Sequence, residues 1–597
     1  MQPQTPSNNF SIKECLQLGI FTLFCFIAFT YNLSEVPPYH ADENFYVTTS
    51  RNMVESGDYI TPVYHDKKRF AKPILFYWLV ATSYKTFGIN LYSARLVSAI
   101  FGTLCVPLVY IIARRIFDKQ TAIISAVLLP GCYLHSQIAR WAITDMTLNF
   151  FILSAIYFFI SGLYNTSSKG TPYYLAYICM GIGFMIKGPL AIIIPTFVIG
   201  VFILTAYDWK KFYQLRLGYG IVILTAIIFP WFYKMLALHG DEFKNHILGA
   251  ELRDRAIHNT PFSFYYFWVT IRYNLPWSLF FISALIVKFK ITSTSLEKKI
   301  FKRDVFLSFT KKLKTLYLEM SPKDNQAFLL TILWVIVPLI LFTLFRIEHS
   351  RYMLVATPAI AMIVAHFLSQ LLISPDKFHH KSFKIPFYLT IIFYIFILGL
   401  IGIGTFILHP IYSAPFGLIT LYILVLAGLI LLLLLYKCRK YFPMIVTMSI
   451  IQITTLTLIN GNTLSLFNRY PMKSFANKIL SDSQTKKRIG LYKLGNHRAR
   501  MGVMTALPSI DLKNPEELKL FIKPRGIAYV VMREVDWKNE FYNLPMSIKA
   551  TDTGWMKSRA NKEVIRSFLN NLPNPNLVEY SENYVLLKTV GKEELLN

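Results

Sequence analysis

The sequence predicts a polytopic α-helical membrane protein with external interfacial helices and a small C-terminal α/β domain. Composition, the spacing of apolar runs and a change of character near residue 460 predict it. The chain has 597 residues, 54% hydrophobic and only 16% charged. Soluble domains average roughly 45–50% apolar and about 25% charged, so the excess needs burial beyond a protein core. Runs of about 20 apolar residues supply it as membrane spans. Leu16–Leu33, Leu217–Leu236, Leu329–Phe345, Ile385–Leu408 and Leu418–Tyr436 are the plainest.

About thirteen spans are predicted: 15–33, 92–114, 121–138, 145–163, 173–186, 189–206, 217–236, 267–288, 327–345, 352–373, 386–408, 415–436 and 442–459. The first run is long and lacks a small-residue cleavage site before Tyr31, so it reads as a span rather than a signal peptide. With the N-terminus inside, the inner loops collect Arg114, Arg115, Lys119, Lys169, Lys210, Lys211, Arg216 and the Lys-rich stretch 288–323. Cytoplasmic loops favour such an excess. The net charge of +29 therefore reads as positive-inside bias toward anionic lipid, not as a nucleic-acid footprint. The membrane domain is 1–459, with an external first loop 34–91, an external loop 237–266 and a cytoplasmic loop 289–326.

An odd span count leaves 460–597 outside. This tail is polar, with strand-like runs at Arg488–Leu494, Gly526–Val535 and Tyr584–Val590 and a helical stretch at Asn561–Leu569. Alternating apolar residues between turn signals predict a mixed α/β domain. The six cysteines, Cys15, Cys25, Cys105, Cys132, Cys179 and Cys438, lie in or beside apolar runs without CxxC spacing. Neither a zinc site nor a disulfide framework is indicated. No Walker A, GxGxxG or GxSxG pattern is present.

The topology gathers ionisable residues on the external face, where such groups at a lipid boundary are functional candidates. "YHADENFY" puts Asp42 and Glu43 at the start of a helix over 42–56. Helix capping and the helix dipole account for both carboxylates without function; in the other reading Asp42 faces a cleft and Glu43 supports it. "RFAKPILFYWLVATSYKTFG" places Lys72 before an interfacial helix over 69–88, with Pro73 in its first turn and Gly88 at its end. Lys72 is either a snorkelling lysine or a cation for a lipid phosphate. "IARWAITDM" holds Arg140 and Asp145 across a short turn, where Asp145 also suits a cap. "FMIKGP" puts Lys187 at a helix C-terminus, favourable in itself. "FRIEHSRYM" brings Arg346, Glu348, His349, Arg351 and Tyr352 into one turn, where local ion pairing is the simpler reading. His239, His246 and His258 in loop 237–266 match no metal motif.

These segments come in a familiar order: "DE" after the first span, "AKP" before an aromatic helix, then "ARLVSAIFGTLCVPLVYIIARRIF", "ITDMTL", "KGPLAIIIP", "NLPWSLF" and "SRYMLVATPAIAMIVA". The chain resembles the bacterial members of the GT-C superfamily of polyprenyl-phosphate-sugar glycosyltransferases. Within it, the likeness is to aminoarabinose:lipid A transferases, which are akin to protein O-mannosyltransferases. It covers about residues 12–370. The resemblance implies an undecaprenyl-phosphate-linked sugar as donor and lipid A as acceptor, with transfer on the periplasmic face of the inner membrane.

It also implies roles. Asp42, Glu43 and Asp145 fall on the family's catalytic acidic motifs, and Lys72, Lys187 and Arg351 would meet the donor phosphate. Arg140, Glu251, Arg255, Arg346, His349 and Tyr352 are further cleft candidates. Two departures concern metal: the Glu and His positions that the family links to a bound divalent ion are Ala71 and Leu252 here. These departures weigh against a metal at that site, the sequence leaves a divalent metal open, and no cofactor is assigned.

The chemistry follows from the anchored donor. Its reactive carbon lies near headgroup depth, so catalytic groups belong where spans emerge. A hydroxyl acceptor would need Asp42 as general base. A lipid A phosphate is already anionic, so Asp42 would then orient the acceptor or stabilise positive charge on the sugar. Both routes predict inversion at the anomeric carbon. The alternatives are transfer to protein Ser/Thr or another envelope glycan, and a lipid-linked sugar transporter. A transporter predicts inverted repeats and polar groups near the midplane, whereas the candidates here cluster at one boundary.

Overall fold

The computed structural model describes residues 11–36, 41–64, 67–164, 170–207, 209–247, 249, 263–297, 322–346, 348–408, 416–463, 472–481 and 488–494. Beyond these it describes 502, 505, 507, 509–522, 528–533, 536, 548–552 and 584–589. Predicted features at Glu251, Leu252, Arg255, His258 and Asn561–Leu569 lie outside the described residues.

The chain begins with α1 (Ile12–Thr30), capped by Ser11, whose side chain accepts from Glu14 N–H at 3.2 Å. Next come α2 (Ala41–Ser56), a two-residue hairpin of β1 (Val63–Tyr64) and β2 (Lys67–Lys68), and α3 (Leu75–Phe87). Pro73 precedes α3 rather than occupying its first turn. Asn90 caps α4 (Leu91–Ile116) and Asp118 caps α5 (Lys119–Leu128). The predicted span 121–138 is not one helix. It breaks at the 3-10 turn Leu129–Gly131, where Pro130 has no N–H to donate, and resumes as α6 (Tyr133–Ile138).

Then come α7 (Thr144–Tyr164), α8 (Thr171–Lys187) and α9 (Leu190–Ala206). Gly188 ends α8 with φ +91°, a conformation that favours glycine. A 3-10 segment Trp209–Leu215 leads into α10 (Leu217–His246), which runs ten residues past the predicted span end through a break at Gly240 (φ 47°). Helices α11 (Tyr265–Arg272) and α12 (Trp277–Glu297) are bent by 109°. After α13 (Pro322–Phe345) a 3-10 turn, Ser350–Ala356, enters α14 (Thr357–Ile373), followed by α15 (Lys381–Leu408), α16 (Phe416–Lys437) and α17 (Tyr441–Leu458).

Each predicted span contains helix, although 121–138 and 267–288 are broken. Among the described residues, however, only nine spans are long and apolar enough to cross a membrane alone, or ten with the bent α11–α12 pair. The difference from thirteen lies in short or broken segments such as α5–α6 and the 17-residue α9. The result is a multi-pass α-helical membrane protein.

The tail forms a small α/β unit. Helix α18 (Met472–Ser481) precedes β3 (Arg488–Tyr492), β4 (Ser509–Leu512), α19 (Pro515–Ile522), β5 (Ala528–Arg533), β6 (Ile548–Asp552) and β7 (Tyr584–Thr589). The sheet order is β4-β3-β5-β7-β6. Strand β3 is parallel to β4 and β5, and β7 is antiparallel to β5 and β6. Alternation along the strands makes two cores. Ile489, Leu491, Tyr529 and Val531 pack with Phe475 and Ile479 of α18; Tyr492, Val530 and Met532 pack with Leu518 and Phe521 of α19. Gly490 lies where an added Cβ would meet Leu512 and Phe521 at 2.7 and 2.8 Å, so α19 packs close to β3. Arg51 of α2 ties the tail to the bundle: its Nη1 donates to Gly502 O at 2.9 Å and Leu507 O at 3.5 Å, and its Nε to Glu55 at 2.7 Å.

Candidate active site

Asp42 and Glu43 are adjacent in the first turn of α2, about 100° apart around the axis. They therefore meet different neighbours. Glu43 is fully buried and accepts from Arg95 Nε and Nη2, at 2.7 and 2.9 Å, and from Ala142 N–H at 2.9 Å. Arg95 also donates to Leu33 O and Val36 O, both at 2.7 Å. This bidentate pair fastens the end of α1, the start of α2 and the turn before α7 onto α4. Arg140 acts similarly. It is buried and donates to Ala28 O, Phe29 O and Tyr31 O at 3.1, 3.0 and 2.7 Å. The carbonyls at the C-terminal end of α1 lack helical partners, and a guanidinium suits them.

Asp42 instead faces a charged cluster. Its Oδ2 accepts from Arg351 Nη2 at 2.5 Å. Arg351 Nε lies 3.6 Å from Asp145 Oδ2, and Asp145 Oδ1 accepts from Lys187 Nζ at 2.5 Å. The four charges cancel in sign. Asp145, Lys187 and Arg351 have side chains no more than 10% exposed, while Asp42 is 32% exposed and forms the open end. Each sits at the end of an element: Asp42 and Asp145 in the first turns of α2 and α7, Lys187 at the last residue of α8, and Arg351 in the 3-10 turn before α14. Carboxylates at helix N-termini and a lysine at a C-terminus fit the helix dipoles. Neither aspartate is the N-cap that the simpler reading made it. Local ion pairing also fails to describe Arg351, which reaches two carboxylates on other helices.

Aromatic rings wall the cluster. Lys187 Nζ stands 4.7 Å from the Tyr352 ring centroid, and the Arg351 guanidinium 5.9 Å from it. Tyr352 packs on Phe342 and His349. His349 donates its backbone N–H to Tyr266 Oη at 3.3 Å. Partial desolvation, then the Arg351 guanidinium, hold the His349 imidazole below its ordinary pKa. Tyr46, one turn along α2 from Asp42, is buried with its Oη 3.5 Å from Thr144 Oγ1. Burial, then Tyr77 and Asp42, push its phenol well above the usual value, so it stays protonated.

The remaining predicted residues are placed differently. Lys72 is half-buried and donates to Ala71 O at 2.8 Å. Arg346 is exposed in a left-handed turn (φ 52°) after α13. Glu251 and Arg255 lie outside the described residues. The structure adds Arg95, Tyr46, Thr144 and Tyr266, which the sequence reading did not single out. A charge inside the apolar run "ARLVSAIF" was the available signal for Arg95.

Ala71 has no ligating side-chain atom at the position the family resemblance links to metal. Among the described residues no group of three or more His, Cys, Asp or Glu side chains could hold a metal ion.

The fold is of the GT-C type, and the chain resembles that superfamily's polyprenyl-phosphate-sugar glycosyltransferases. The family model described as dolichyl-phosphate-mannose-protein mannosyltransferase matches residues 19–243. ArnT from Cupriavidus metallidurans, solved bound to undecaprenyl phosphate, superimposes with a TM-score of 0.70, covering 98% of this chain and 99% of that one at 18% identity. An uncharacterized protein of Aquifex aeolicus is 28% identical over 345 residues, 58% of this chain and 62% of its own. The undecaprenyl phosphate-alpha-4-amino-4-deoxy-L-arabinose arabinosyl transferase 2 of Pseudomonas fluorescens is 27% identical over 368 residues, 59% of each chain. The chain thus spans about three-fifths of the length of the curated relatives it matches.

Proposed function

We propose that this protein is a glycosyltransferase that moves an (amino)sugar from undecaprenyl phosphate to lipid A on the periplasmic face of the bacterial inner membrane, by inverting displacement. The observation that carries the reading is the charge chain Asp42–Arg351–Asp145–Lys187, built from four element ends at one side of the bundle. The curated relatives named as arabinosyl transferases supply the sugar-donor class.

In this reading the donor phosphate approaches the open Asp42 end and competes with its carboxylate for Arg351. Arg351 and Lys187, with Lys72, balance the charge that develops as the bond from the anomeric carbon to phosphate oxygen breaks. Preorganised cations at a water-poor site supply several kcal/mol. The acceptor oxygen forms the new bond on the opposite face of the sugar. Asp42, released from Arg351, accepts the proton of a hydroxyl acceptor or orients a phosphate acceptor. Asp145 keeps Lys187 and Arg351 charged and in place. Glu43 and Arg140 hold the backbone that carries Asp42, so we assign them positioning roles.

The membrane domain is then 1–459 and the periplasmic domain 460–597. The short helices α8 and α9 and the broken α5–α6 segment complete about thirteen crossings. Seventeen helical residues rise roughly 25 Å, near the thickness of a thin hydrocarbon core.

Transfer to protein is a second reading, favoured by the match to the protein mannosyltransferase model. Mass spectrometry of lipid A from cells with and without the protein separates the two. Loss of a sugar-sized increment on lipid A phosphate, also lost in Asp42→Asn, supports the lipid A reading. Unchanged lipid A with a lost glycan on periplasmic proteins supports the second.

A further inference from the structure

The side of the bundle remote from Asp42 carries a second feature. Helix α8 has 17 residues, so Lys187, in the charge cluster, lies roughly 25 Å from Gly170 at its other end. At that far end a cavity of about 610 Å³ opens between the 3-10 segment Trp209–Leu215 and the first turns of α10. Ligand pockets generally span roughly 300–1,000 Å³. Trp209, Phe212, Tyr213, Tyr219 and Val222 line it, with Arg216.

Its architecture is fixed from several sides. Leu215 is buried, and its carbonyl accepts from Tyr177 Oη at 2.8 Å, pinning the 3-10 segment to α8. Tyr219 packs on Tyr174 with ring centroids 5.6 Å apart. Arg216 adopts a left-handed conformation (φ 57°), rare for a residue with a Cβ, to turn the chain into α10. Its guanidinium then lies beside Gly170. The hydrophobic lining is not turned inward: Trp209, Tyr213, Tyr219 and Val222 are all exposed.

Charge selects the occupant. The stretch "YDWKKFYQLRLGY" carries Lys210, Lys211 and Arg216 against Asp208 alone, and Arg114 and Arg115 end α4 on the same side, where Arg115 donates to Ser161 O near the end of α7. Aromatic residues interleaved with basic ones mark a membrane–water interface. Basic pockets between spans bind anionic headgroups.

We propose that this cavity is a binding site for an anionic phospholipid of the leaflet opposite the Asp42 cluster. An acyl chain lies among Trp209, Phe212, Tyr213 and Val222, and the headgroup phosphate meets Arg216 and the neighbouring lysines. The proposal rests on the multi-pass arrangement and not on the transferase reading.

The test uses the full chain in nanodiscs and tryptophan quenching by chain-brominated lipids. Subtracting the Trp209→Phe variant isolates the Trp209 signal among the nine tryptophans. At equal mole fraction, brominated phosphatidylglycerol should quench it at least about threefold more effectively than brominated phosphatidylcholine, a preference of the size expected from a few phosphate-facing cations near a membrane. Arg216→Gln combined with Lys210→Gln and Lys211→Gln should remove the preference. Unbrominated phosphatidylglycerol should relieve the quenching. Equal quenching by the two lipids, or a preference that survives the triple substitution, overturns the proposal. Relief by undecaprenyl phosphate but not by phosphatidylglycerol also overturns it, in favour of the polyprenyl carrier. Retention of phosphatidylglycerol by wild-type protein in native mass spectrometry gives an independent reading should the triple variant fail to fold; complete loss of lipid at the lowest activation energies contradicts the site.

Discussion

Arg351 Nη2 lies 2.5 Å from Asp42 Oδ2 across 309 residues of sequence, and the same guanidinium reaches toward Asp145. One cation thereby joins the open carboxylate to the buried one. A planar fork holds its donors in fixed directions toward two carboxylates, whereas a lysine ammonium is a flexible point charge without that fixed geometry. Arg351→Lys should lower transfer by about 10²-fold while leaving the folded protein in the membrane, as removal of one preorganised donor does. Transfer measured beside size-exclusion behaviour in detergent checks this. Wild-type rates in Arg351→Lys would show that bidentate bridging is not required.

The Asp145–Lys187 pair is buried on both sides. Breaking one member of such a pair costs about 3–5 kcal/mol, because the other is left charged and dry. Asp145→Asn should therefore lower thermal stability more than the double variant Asp145→Asn, Lys187→Met, which removes both charges. Unfolding followed by intrinsic fluorescence in detergent reads the cycle. Equal destabilisation by the single and double variants would mean the pair is not coupled.

His349 gives the acid side of the pH profile. Its folded pKa is depressed by desolvation, then by Arg351, with Lys187 acting in the same direction and Asp42 and Asp145 opposing. The unfolded chain thus binds the proton more readily, and stability rises with pH across the window between the folded and unfolded values. The contribution is fully present above the unfolded value of about 6.5 and is lost as pH falls toward the folded one. His349→Gln should flatten the stability curve below about pH 6.5. A curve parallel to that of the wild type would remove His349 from the account.

Arg51 links α2, which carries Asp42 at its other end, to Gly502 and Leu507 of the tail. Hydrogen bonds from charged donors contribute about 1.5–3 kcal/mol each when made in a buried setting. Arg51→Ala should raise amide hydrogen exchange in Ser509–Leu512 by about tenfold or more, an opening cost of at least about 1.4 kcal/mol. Exchange unchanged in that strand would mean the tail is held elsewhere.

The membrane architecture was legible because lipid demands long apolar runs, and because the helix end at Lys187 in "FMIKGP" is a local signal. The three quoted tail strands were legible from alternation. The weak points were also physical. Short strands such as Ser509–Leu512 and Ile548–Asp552 carry too few alternations to register. The α5–α6 break hides inside an apolar run, since hydropathy does not report a 3-10 turn. The candidate residues Asp42, Asp145, Lys187 and Arg351 were each read singly, with a local explanation. Their pairing across three loops is a tertiary fact with no sequence-neighbour signal. Glu43 was grouped with Asp42 because they are adjacent, yet one helical step sends it to Arg95 instead.

The most direct measurement is transfer by the purified protein in proteoliposomes. Undecaprenyl phosphate-α-4-amino-4-deoxy-L-arabinose and lipid A are supplied, and wild type is compared with Asp42→Asn. The account predicts a lipid A product of increased mass with inverted anomeric configuration, made more slowly by the variant because Asp42 no longer orients the phosphate acceptor or stabilises positive charge on the sugar. Equal rates for the two proteins, or retention of configuration, would contradict a single displacement centred on Asp42.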